Sequence, residues 1–72
     1  MALRIRDLRE DNDFTQAEIA ALLNVSQATY SRYETGTLDI PYSSLEILAD
    51  HYHTSVDYLL GRTNTPTPYP KK

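Results

Sequence analysis

Gln27, Ala28, Ser31 and Arg32 are side chains of the kinds that can read the edges of nucleobases, and Thr35 is directed outward beside them. Glutamine carries a donor and an acceptor together and can pair with N6 and N7 of adenine. The arginine fork matches O6 and N7 of guanine. Alanine is small enough to admit a thymine methyl. At helical spacing Ala28, Arg32 and Thr35 share one face, Ser31 and Thr29 flank it, and Tyr30, Tyr33 and Glu34 share the opposite face. The inward stripe therefore contains an acid. An earlier stripe, Met1, Ile5, Leu8 and Asn12, also takes in Arg9, so a base faces the interior too. Pairing Arg9 with Glu34 is the simplest way to satisfy both charges, and such a pair is structural rather than catalytic.

Other chemistry is sparse. His51 and His53 lie two apart, so a helix splays them, and surface or rim histidines are expected there rather than a metal site. There is no nucleophile beside a base, no phosphate-cradling glycine loop and no cluster with metal-ligand spacing. We expect no enzyme, no cofactor and no small-molecule ligand.

These residues need positioning elements, and the pattern supplies five short helices with tight turns. The first runs over residues 2–12, with Leu3 pointing away from its inner stripe. Asp11, Asn12 and Asp13 end it, since Asn and Asp tolerate left-handed backbone. The second is opened by a capping box, Thr15 with Glu18, and by Phe14 and Ile19 at staple positions. Ile19, Ala20 and Leu23 form its inner stripe, and Asn24 ends it. The third begins at the cap Ser26 and stops at Gly36. Only about three residues join the second and third, which is helix-turn-helix spacing. Small Ala20 lets the two cross closely, Val25 plugs the gap, and Tyr30 and Tyr33 anchor the third helix. The fourth starts near Pro41, with proline in the first turn. Tyr42, Leu45, Leu48, Ala49 and Tyr52 face inward and Ile47 does not. The fifth is capped by Ser55, spans residues 56–60 and stops at Gly61. The domain is residues 1–61, all-α. Residues 62–72 are a Pro/Thr-rich tail or linker, where alternating prolines forbid a helix.

The chain has 72 residues, which limits it to one small core. It has no Cys, so a disulfide scaffold and a Cys-ligated zinc site are excluded, and an intracellular setting is the default. No apolar run approaches the roughly 20 residues of a membrane helix, and charges from Arg4 onward interrupt any signal-peptide core. Seven basic against ten acidic residues give a net charge of −3, which argues against a nucleic-acid partner unless specific residues outweigh it. Arg32 is the one Lys or Arg between residues 10 and 61. Helix N-termini offer free amides to phosphates without positive side chains, which lessens that objection.

The stretch Thr15-Gln16-Ala17-Glu18-Ile19-Ala20-Ala21-Leu22-Leu23-Asn24-Val25-Ser26-Gln27 resembles the lambda-repressor-like, or XRE-type, helix-turn-helix family. So do Thr29-Tyr30-Ser31-Arg32-Tyr33-Glu34-Thr35-Gly36 and Ser55-Val56-Asp57-Tyr58-Leu59-Leu60-Gly61. The resemblance covers about residues 4–61. It implies a five-helix domain whose third helix enters the major groove of double-stranded DNA. It also implies a cytoplasmic, bacterial or phage-encoded transcriptional regulator, favoured as a repressor, acting as a homodimer on a two-fold symmetric operator. By position, Gln27, Ala28, Ser31 and Arg32 would contact bases. Thr15, Gln16, Ser26, Thr29, Thr35 and Gly36 would contact the DNA backbone. Arg9 and Glu34 match the family's internal ion pair. The sequence departs from the pattern at Asn24 and Asp13, where the family often has glycine, and at Tyr30, where it has a smaller aliphatic residue.

Two further expectations follow. Helix 5 carries more apolar surface than its length can hide, so Val56, Tyr58 and Leu59 form the expected dimer interface, with Tyr69 and the tail prolines assisting. Leu22 and Ile47 are competing exposed patches. The other reading of function is a protein-interaction module, an antitoxin-like or anti-repressor partner, which the acidic balance favours. Non-specific DNA coating is disfavoured by the scarcity of basic residues.

Overall fold

The computed structural model describes residues 3–66. Five helices follow in order: α1 (Ile5–Asp11), α2 (Gln16–Leu23), α3 (Gln27–Thr35), α4 (Tyr42–His51) and α5 (Val56–Leu59). There is no strand among the described residues. Met1, Tyr69 and the last prolines, given roles above, lie outside them.

The turns are made as the sequence chemistry requires. In α2 the capping box is reciprocal: Glu18 N donates to Thr15 Oγ1 at 3.1 Å, and Thr15 N donates to Glu18 Oε1 at 2.9 Å. Asn24 closes α2 in the left-handed region at φ 59°. Asp13 takes the same conformation at φ 59° between α1 and α2. These are the two positions where the family often has glycine, and Asn and Asp enter that region at lower cost than other side chains. Ser26 caps α3 by accepting from Thr29 N at 3.1 Å, and Ser55 caps α5 by accepting from Tyr58 N at 3.1 Å.

The core joins all five helices. Ile5, Ile19, Tyr30, Leu48 and Leu59 are fully buried, with Ala20, Leu23, Tyr33, Leu45 and Ala49 around them. Tyr30 and Tyr33 meet edge to face, with ring centroids 6.4 Å apart. Val25 is half-buried against this cluster beside the α2–α3 turn.

Several expectations need correction. α1 starts at Ile5, so Leu3 precedes the helix and is not governed by its period; it packs against the core instead of pointing away. Asn12 is not an inner residue. It caps α1, exposed, with its Nδ2 donating to the Leu8 carbonyl at 2.7 Å. Pro41 is the N-cap of α4 rather than a residue of its first turn. Tyr42 shares the angle of the apolar stripe yet is 64% exposed, while Ser44 is buried. A stripe fixes an angle; whether a neighbour stands there depends on the other helices. α5 ends at Leu59, with Leu60 as its cap and Gly61 following at φ 76°. Leu59 is fully buried, so it serves the core and cannot form a dimer face.

Candidate nucleic-acid interface

The surface to be explained is the outer side of α3. Tyr30 and Tyr33 bury one side of this helix, and the 3.6-residue period then turns the other side outward. Gln27, Ala28, Arg32 and Thr35 are exposed, and Thr29 and Ser31 are half-buried at the flanks. Gln27, Ala28, Ser31 and Arg32, singled out for base-edge chemistry, therefore stand on one continuous face with Thr35. The Thr35 hydroxyl donates to the Arg32 carbonyl at 3.2 Å and pairs with Thr37 at 2.9 Å, which ties the end of the helix to the following turn. Gly36 is left-handed at φ 79°, and a Cβ there would meet nothing within 4 Å, so its side of the turn is open.

α3 is held to α2 by a short turn. Val25 N donates to the Ala20 carbonyl at 3.0 Å and Asn24 N to the Ala21 carbonyl at 3.1 Å, so the carbonyls at the end of α2 are satisfied within the turn. Ser26 caps the first turn of α3, and its hydroxyl also donates to Thr29 Oγ1 at 2.9 Å.

An ion pair braces the two helices against α1. Arg9 Nε donates to Glu34 Oε2 at 2.6 Å and Nη2 to Oε1 at 3.1 Å, a bidentate fork. Arg9 Nη1 donates to the Phe14 carbonyl at 3.0 Å, and Gln16 Nε2 donates to Glu34 Oε1 at 3.1 Å. The Glu34 side chain is only 3% exposed. Burial alone would push its carboxyl up, but hydrogen bonds from Arg9 and Gln16, with the Arg9 charge, outweigh it and hold the group below its usual value. The hydrogen bond to Glu34 raises Arg9 further. The Tyr30 hydroxyl is buried, lies close enough to feel the Glu34 carboxylate and completes no hydrogen bond of full geometry; desolvation pushes it well up. Desolvation likewise pushes the buried Tyr52 hydroxyl up to about 12.

The sequence pattern predicted the Arg9–Glu34 pair but not the two further bonds around it. Gln16 carried only a DNA-backbone role, and its amide proves to be shared with the interior. No local signal announces such a bond, because residues 16 and 34 meet only when α2 and α3 pack. Arg4 was missed for the same reason. Its guanidinium lies 4.3 Å from the centroid of the Tyr58 ring, and its Nη2 donates to Asn64 Oδ1 at 2.8 Å. Tyr58 and Val56, expected at a dimer face, are half-buried, and one side of Tyr58 is covered by this cation.

His51 and His53 are not brought together. The His51 ring packs tilted against Phe14 and edge-on to Tyr52, with centroids 5.0 and 5.1 Å away, while His53 turns the chain at φ 54°. Among the described residues no group of three His, Cys, Asp or Glu side chains is placed to hold a metal ion. No described helix is long and apolar enough to cross a membrane.

Comparison with known proteins agrees with this geometry. A family model described as a helix-turn-helix domain matches residues 1–66. An uncharacterised HTH-type transcriptional regulator, YobD of Bacillus subtilis, is 37% identical over 90% of this chain and 58% of its own length. The cryptic phage CTXphi transcriptional repressor RstR of Vibrio cholerae is 36% identical over 86% of the chain and 56% of its own. Antitoxin PezA of Streptococcus pneumoniae is 30% identical over 89% of the chain and 40% of its own. The chain belongs to the helix-turn-helix family, of the XRE or lambda-repressor-like type. It spans about half the length of the curated relatives it matches. No solved structure matches it.

Proposed function

We propose that this chain is the sequence-specific DNA-reading module of a transcriptional regulator, a repressor by preference, which lays α3 in the major groove of double-stranded DNA. The observation that carries the reading is the face of α3. Gln27, Ala28, Ser31, Arg32 and Thr35 stand along it, on a helix whose other side is locked by Tyr30, Tyr33 and the Arg9–Glu34 pair. Gln27 and Arg32 read base edges by bidentate hydrogen bonds, and Ala28 and Ser31 permit close approach. Thr15, Gln16, Ser26, Thr29, Thr35 and Gly36 hold the sugar-phosphate backbone, helped by the open amides at the starts of α2 and α3. The module performs no catalysis and acts in the bacterial or phage-infected cytoplasm, where its duplex is. Relatives named as HTH-type regulators and as a phage repressor support the reading.

One module buries only about 600–1,000 Å² on DNA. Sequence selection then calls for two copies on half-sites about 34 Å apart. We assign the copy-to-copy contact to Val56 and Tyr58, without Leu59. Selecting bound oligonucleotides from a random pool tests the whole reading. A two-fold symmetric motif is the expected result, and the absence of any enriched motif would overturn it.

A second reading, a protein-interaction module, draws on the antitoxin among the relatives and on the acidic balance of the chain. Replacing Arg32 separates the two. DNA reading requires that selectivity at one base pair be lost, whereas protein docking leaves DNA behaviour unchanged.

A further inference from the structure

The turn before α2, the outer side of α2 and the end of α4 enclose an apolar groove of about 420 Å³. Phe14, Glu18, Ile19, Ala21, Leu22 and His51 line it. Ile19 is buried beneath it and Phe14 is half-buried, while Leu22 is 41% exposed. Ile19, Ala20 and Leu23 take the core side of α2, so Glu18 and Leu22, one turn apart, lie on the side directed away from it.

Charge decides what fills it. From Glu10 to Ser31 the chain contains four acids, Glu10, Asp11, Asp13 and Glu18, and no Lys or Arg. Glu10 is bridged by Arg6 at 3.2 Å; Asp11, the last residue of α1, and Asp13, in the turn before Phe14, are exposed; and Glu18 is in the groove wall, its Oε1 accepting from Thr15 N at 2.9 Å. A second copy docking groove to groove would set these acids against each other. We infer that the groove receives an apolar side chain from a protein partner's helical segment that carries Lys or Arg beside it. The complementarity is that of a helix-in-groove contact: an apolar anchor in the pocket and cations on the acidic rim. This inference does not rest on the DNA-reading proposal and survives its failure.

The test uses the isotope-labelled full chain and a short synthetic helical peptide with two leucines one turn apart, flanked by lysines. A control peptide replaces the lysines with glutamates. The expected result is resonance shifts centred on Phe14, Leu22 and His51 with the lysine peptide. Binding should be roughly tenfold weaker or more with the control peptide and with Leu22→Ser. Glu18→Gln keeps the capping acceptor while removing a rim charge, and should weaken binding by a smaller factor. Circular dichroism checks that both variants stay folded. Shifts centred elsewhere, equal response to the two peptides, or full binding by folded Leu22→Ser would overturn the inference. So would a change from dimer to monomer on introducing Leu22→Ser, since a second copy would then be the occupant.

Discussion

Glu34 is the residue on which the orientation of α3 depends most directly. Its carboxylate takes two bonds from Arg9 and one from Gln16, and it is almost fully covered. Glu34→Ala strands the arginine charge in a poorly hydrated place, so a loss of about 3–5 kcal/mol is expected in urea unfolding. The pH dependence has two sides. Because the folded-state value of Glu34 is lowered, its contribution is present above the ordinary carboxylate range and disappears as pH falls through that range. Tyr52 behaves oppositely. Its hydroxyl is pushed up to about 12, so its contribution is whole below the ordinary tyrosine value of about 10 and is lost as pH rises beyond it. The melting temperature should therefore fall steeply above that point, and Tyr52→Phe should flatten the fall; an equally steep decline in the variant would contradict the cause given. At the outer face, Arg32→Ala should cost about 1–3 kcal/mol and relax selection at a single base pair, as read by fluorescence anisotropy against a panel of substituted duplexes.

At the scale of elements, α2 and α3 are short, and their ends carry much of their local stability. Thr15→Ala removes one half of the capping box and leaves the Glu18 amide without its acceptor. About 1 kcal/mol of stability should be lost. Asn24 is the sharper test of the turn. At φ 59° a β-branched side chain is strained, so Asn24→Val should destabilise by about 1–2 kcal/mol, whereas Asn24→Gly should stay close to the parent. The two variants differ in backbone tolerance, not in surface contacts, so equal stabilities would refute the turn argument.

For the whole molecule the question is how an acidic chain would hold the duplex proposed for it. Arg4 is engaged with Tyr58 and Asn64, Arg6 with Glu10, and Arg9 with Glu34. Arg32 is thus the cation that α3 itself presents, and Arg62 is a further exposed arginine, beyond α5. On the proposed reading, backbone amides and neutral polar side chains do most of the phosphate binding, and these release few counterions. The plot of log affinity against log salt should be shallow. Each neutralised phosphate contributes about 0.9 to the slope, so a slope of about 2 per subunit or less is expected. A much steeper slope would require a basic surface that the described residues do not supply. Sedimentation with Tyr58→Asp checks the proposed pairing of copies: dissociation of the dimer is the expected outcome.

The sequence by itself determined that there are five helices and where the caps and turns around α2 and α3 lie, because these depend on near neighbours. Thr15 with Glu18, Ser26 with Thr29, Asn24 and Gly36 each act within a few residues. It also determined the Arg9–Glu34 pair, since two opposite charges on two apolar stripes have few other partners. The face of α3 was legible for the same reason, as the complement of Tyr30 and Tyr33. Only the tertiary structure decided what depends on where helices end against one another. It exposed Tyr42, at one edge of the stripe read in α4, and buried Ser44, which that stripe did not include. It gave Leu59 to the core, drew Leu3 inward and laid Arg4 over Tyr58. It also brought the Gln16 amide to Glu34 and opened a groove beside Leu22. A period along one helix specifies direction, whereas burial needs a second surface at that place, and that surface comes from residues far away in the chain.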